Sequence, residues 1–69
     1  MTFGFYAIVR KVIVNLKSDK AFQGVLWKRR GDYLVLRDAV LHENGHTRKV
    51  DGEVLIFTAD VDFMQVLNG

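Results

Sequence analysis

The chain has 69 residues, 49% of them apolar and 26% charged, which suits one globular domain with one small core. It has no cysteine and no proline, which excludes a disulfide framework, a cysteine-ligated zinc site and a thiol nucleophile. The formal net charge of +2 conceals an uneven division, with +6 over residues 1–37 and −4 over residues 38–69. Such polarity suits an anionic partner on one side, or head-to-tail stacking of copies of the chain.

Residues 1–10 form an N-terminal arm, in which Phe3-Gly4-Phe5-Tyr6-Ala7-Ile8-Val9 fits an extra strand, a short helix or a packed segment equally well. The arm lacks the basic start and long apolar stretch of a signal peptide, so a cytoplasmic origin is expected. No apolar run is long enough for a spanning helix, and no membrane partner is expected.

From residue 11 to residue 69 the apolar residues fall in short runs rich in Val, Ile, Phe and Tyr, separated by polar clusters. That is the pattern of strands, not helices. Val12, Val14 and Leu16 alternate on one face of a first strand, and Lys17-Ser18-Asp19-Lys20 makes a polar turn. Residues 21–28 form a second strand, with Gly24 marking a bend or bulge where a curved sheet turns a corner. Arg29-Arg30-Gly31-Asp32 is the next turn, with Gly31 available for positive φ and Asp32 for capping. Residues 33–41 are the third strand. Residues 42–52 are either a polar loop or a hairpin extension tipped by Asn44-Gly45. Residues 53–58 and 61–67 are strands four and five, with Ala59-Asp60 as the break. The expected fold is all-β, a small five-stranded, strongly bent antiparallel barrel.

The run Val12, Val14, Leu16-Lys17, Ala21-Phe22, Gly24, Leu26, Gly31-Asp32-Tyr33-Leu34-Val35-Leu36 and Asp38-Ala39 resembles the first motif of the Sm-like proteins. The likeness extends over about residues 11–67. It implies a bent barrel that closes into rings through strand edges, and in many members single-stranded RNA binding at the lumen. Two residues that carry such binding in the family are altered. Val35 stands where an asparagine is expected, and Ala59-Asp60 stands where an arginine-glycine pair is expected. An aspartate there repels a phosphate. Tyr33 remains at the position whose ring would stack a base, beside Arg29 and Arg30. A weaker likeness joins Val25-Leu26-Trp27, Arg30-Gly31, residues 35–41, 50–54 and 61–66 to short virion-region proteins of tailed actinobacterial phages. It implies a virion component with no defined activity.

The best binding candidate is the turn Lys28-Arg29-Arg30 between Trp27 and Tyr33, since bases stack on aromatics beside cations. The plainer alternative is a packed Trp27 and a hairpin tip kept soluble by charge. His42 and His46, with Glu43 and Asp51 nearby, do not supply an evident third and fourth converging metal ligand. Asp38, Asp60 and Asp62 have no pocket to work in if side chains fill the barrel. No nucleophile elbow or phosphate-cradling glycine motif is present. Neither catalysis nor a cofactor is expected.

Strands four and five are apolar on both faces: Val54, Leu55, Ile56 and Phe57 in one, Phe63, Met64 and Val66 in the other. Strands apolar on both sides are covered on both sides, and no proline or lysine guards these edges. These seven residues are therefore the expected interface. The leading expectation is a non-enzymatic assembly module that pairs with itself or docks on a larger scaffold such as a capsid or connector. The alternative is a ring-forming single-stranded RNA-binding protein using Arg29, Arg30 and Tyr33.

Overall fold

The computed structural model describes residues 10–67. The expected N-terminal arm lies outside them except for Arg10, which opens the first strand. Six strands follow in order: β1 (Arg10–Leu16), β2 (Ala21–Arg30), β3 (Tyr33–Glu43), β4 (His46–Val50), β5 (Val54–Phe57) and β6 (Val61–Val66), with a single 3-10 turn, Thr58–Asp60, before the last. All the pairings are antiparallel. The sheet runs β4-β3-β2-β1-β6, and β5 pairs with the other end of β3. This is the bent all-β sheet expected, with one strand more.

The extra strand settles the open choice over residues 42–52. They extend the hairpin: β3 continues to Glu43 and β4 returns from His46. Asn44 and Gly45 sit between them at φ 51° and 78°. Two successive positive φ values make the turn whose twist matches paired strands, and Asn-Gly tolerates it best. Asp51 and Gly52 then break the outer strand, with Gly52 at φ 77°, so that β4 and β5 lie one after the other along β3.

Gly31 departs from expectation. It does not use the left-handed region, and a Cβ there would meet nothing within 4 Å. Asp32 works through its main chain, where its carbonyl accepts the Thr58 N–H at 2.9 Å.

Val12, Val14, Leu26, Leu34, Leu36, Ala39 and Ile56 form the core, all nearly or fully removed from solvent. Leu16, Phe22, Val50, Val54, Val61 and Met64 pack against it. The alternation of Val12 and Val14 in β1 turns both inward, as a strand with one buried face must. A Cβ built on Gly24 would lie 2.8 Å from the Arg37 carbonyl oxygen and 3.1 Å from the Ala39 Cα. Both are main-chain atoms that cannot step aside. The bare Gly24 backbone is what lets β2 fold this closely over β3.

Candidate functional site: a basic turn and two open edges

Lys28, Arg29 and Arg30 are all exposed at the end of β2, and the register pairs Arg30 with Tyr33 across a two-residue turn. Tyr33 is half-buried and lies opposite Phe57 of β5. The Asp32–Thr58 main-chain bond ties this turn to the 3-10 turn, where Ala59 and Asp60 are exposed. The Asp60 carbonyl in turn accepts the Lys17 N–H at 2.9 Å. The fold thus brings together two segments far apart in sequence, one offering Arg29, Arg30 and Tyr33, the other offering Asp60. The local charge is mixed.

Val35 does not belong to this surface. It is 6% exposed and pairs with Leu55. Trp27 is likewise engaged. It is the extra residue of a bulge in β2, and the Arg37 guanidinium sits 3.8 Å from its ring centroid. Arg37 Nε donates to Glu53 Oε2 at 3.0 Å. One ring face of Trp27 is therefore covered by Arg37, and the half-buried ring has only its other face to offer a stacking base.

The strand edges are the second feature. β5 pairs only with β3, and β6 only with β1, so among the described residues each keeps one unpaired edge. Among the described residues the exposed large apolar side chains are Leu55 at 58%, Phe57 at 57%, Phe63 at 54% and Val66 at 49%. All four belong to those two strands. The expected interface is corrected at three positions: Ile56 is 5% exposed and in the core, and Val54 and Met64 are half-buried against it. Alternation explains the split, since in β5 the even-numbered residues point inward and the odd-numbered ones outward. By contrast the outer edge of β4 carries His46, Thr47, Arg48 and Lys49, all exposed and polar.

His42 and His46 do not converge. His42 stands opposite Thr47 and bonds the Gln23 side chain at 3.2 Å, while His46 stands opposite Glu43. Among the described residues no group of three His, Asp or Glu side chains is placed to hold a metal ion.

No protein-family model matches the sequence, and no curated protein matches it at a significant level. Solved structures do. The SmAP1 heptamer of P. aerophilum superposes with a TM-score of 0.81 at 25% identity, covering 100% of this chain and 97% of that one. The Sm protein of Pyrococcus abyssii, solved in complex with a uridine heptamer, gives 0.80 at 25% identity over 91% and 90% of the two chains. A heptameric archaeal Sm protein gives 0.80 at 23% identity over 93% and 94%. None of these is a virion protein, and the phage likeness and a capsid scaffold have no support here.

Proposed function

We propose, from the premise that this chain is an Sm-like small β-barrel, that it assembles into a ring of identical subunits and binds single-stranded RNA. The observation that carries the assembly is the placement of Leu55, Phe57, Phe63 and Val66 on the two unpaired edges. Pairing β5 of one copy with β6 of the next satisfies both open backbone ladders and covers those four side chains at once. The polar outer edge of β4 would stay outside the contact.

The turn carrying Arg29, Arg30 and Tyr33 is the proposed RNA contact, with the arginines on phosphates and the tyrosine ring on a base. Heptameric and uridine-bound relatives support both halves of the reading. Asp60 beside that turn opposes phosphate, so the affinity expected is micromolar and not tighter. No catalytic step is involved.

The test is native mass spectrometry of the chain together with fluorescence anisotropy of labelled oligo-U. A multi-copy ring that binds oligo-U through Arg29 and Arg30 is expected. A stable monomer at high concentration overturns the assembly, and the edges would then need a different protein. Binding unaffected by the Arg29→Ala/Arg30→Ala double substitution overturns the assigned contact.

A further inference from the structure

The outer edge of β4 is used neither by the ring contact nor by the basic turn. β4 pairs with β3 alone, so among the described residues its other side is an open backbone ladder. The two-residue turn Asn44-Gly45 fixes which groups face that side. Hydrogen-bonded and non-hydrogen-bonded pairs alternate from Glu43–His46 onward, so Thr47 and Lys49 turn their main-chain N–H and C=O groups outward. Between Asn44 and Val50 the chain carries no carboxylate.

The side chains set the chemistry. His46 and Arg48 stand opposite Glu43 and Leu41 on one face of the hairpin, and Lys49 stands opposite Val40 on the other. A pocket of about 180 Å³ beside His46 and Arg48 is lined by Leu41, Glu43, Asn44 and Thr47 as well. Leu41, itself buried, gives it an apolar base. Glu43 is its one carboxylate, and the Lys20 ammonium 3.4 Å away already answers that charge. None of His46, Arg48 and Lys49 makes an ion pair or a side-chain hydrogen bond among the described residues. The edge therefore offers an open ladder, a small pocket beside an unengaged guanidinium, and an unengaged ammonium on the opposite face.

An extended acidic peptide matches all three features. Its main chain completes the ladder at Thr47 and Lys49, one carboxylate enters the pocket to meet Arg48, and the next reaches Lys49 on the opposite face. We infer that the β4 edge takes up such a peptide as an added strand, selecting a pair of adjacent carboxylates. The same cations turn away the edge of a second copy, which would set Arg48 and Lys49 against their like. RNA fits less well. A sugar-phosphate chain cannot alternate donors and acceptors along a strand ladder, and β4 offers no Trp, Tyr or Phe to a base.

The experiment is an amide chemical-shift titration of the full chain with a short end-capped peptide of valine and threonine around a central Glu-Asp pair. Versions with Gln-Asn or Lys-Lys at the centre, and oligo-U, are titrated alongside. The acidic peptide is expected to move the amides of residues 41–43 and 46–50, with the Gln-Asn version about tenfold weaker. The Arg48→Glu/Lys49→Glu double substitution should reverse the preference, so that the Lys-Lys peptide binds and the acidic one does not. Thr47→Pro removes an outward donor but no bond to β3. It should abolish the shifts while the β-sheet circular dichroism is retained, and if it unfolds the chain the charge reversal carries the test. The inference is overturned if acidic and neutral peptides bind alike, or if a folded Thr47→Pro binds the acidic peptide as the wild type does. It is also overturned if the peptide's shifts fall on β5 and β6, or if oligo-U moves residues 46–50 and the peptide does not. Ring formation is read separately by native mass spectrometry, so failure of the proposed function shows up independently.

Discussion

Gly24 and Asp38 face each other across the β2–β3 bend and solve one steric problem by different means. At Gly24 the missing side chain gives room, because a Cβ would meet main-chain atoms at 2.8 Å and 3.1 Å. At Asp38 an unusual φ absorbs the extra residue of the longer path. Gly24→Val should therefore cost on the order of 2 kcal/mol or more, since neither the Arg37 carbonyl nor Ala39 can yield without opening the bend. The measurement is a thermal or denaturant midpoint, and an unchanged midpoint would contradict the close approach. Gly45 has a different requirement. Open space surrounds it, but its φ of 78° disfavours any side chain. Gly45→Ala should cost about 1 kcal/mol through strain alone. Arg37 spans both scales of contact, stacked on Trp27 and paired with Glu53 just ahead of β5. Its Glu53 pair is about half exposed and contributes little by itself.

Among the elements, β5 and β6 differ from β4, which also has one open edge, in holding large apolar side chains out to solvent. β5 is only four residues long, yet it holds Leu55 and Phe57 out to solvent while Ile56 anchors it to the core. Burying roughly 100 Å² more of each outward side chain at about 25 cal/mol per Å² contributes about 2.5 kcal/mol apiece before ordering costs. Phe57→Asp or Phe63→Asp places a charge in that contact without touching the core. Either substitution should turn the ring into monomer, seen as a shift in sedimentation, with the β-sheet circular dichroism retained. A ring that survives both changes would mean that another surface makes the assembly. The β3–β4 hairpin is the opposite kind of element. Its exposed edge is protected by His46, Arg48 and Lys49, the charged guard that discourages strand addition.

For the whole molecule, two forces act on two surfaces, and salt separates them. The edge contact is apolar and should persist from about 50 to 500 mM salt. The RNA contact depends on Arg29 and Arg30 displacing counterions. Two phosphate contacts on a single strand give a slope of about −1.4, or roughly 25-fold in affinity per tenfold in salt. Anisotropy titrations across that range check the slope, and a flat response would exclude phosphate contacts at the turn. The division of charge along the chain works in three dimensions through the same parts: Lys28, Arg29 and Arg30 end β2, while Asp60 closes the 3-10 turn and Asp62 lies near the start of β6.

The sequence by itself determined the strand pattern, the bend at Gly24 and the apolar character of the last two strands, because alternation and turn chemistry are local properties. It offered Asn44-Gly45 as the tip of a hairpin extension but left a polar loop equally open, and the structure decided for the hairpin, with two successive positive φ values at that pair. It did not separate Ile56 from Leu55 as core and edge. Which face of a strand is buried depends on what lies across the barrel, and that is a property of the closed fold. Nor did it show that Trp27 is occupied by Arg37, ten positions along the chain, because a bulge redirects the ring. The juxtapositions of Asp32 with Thr58 and of Lys17 with Asp60 likewise came only from tertiary structure. Such contacts join residues far apart in sequence, and strand register, which no local pattern encodes, decides which of them meet.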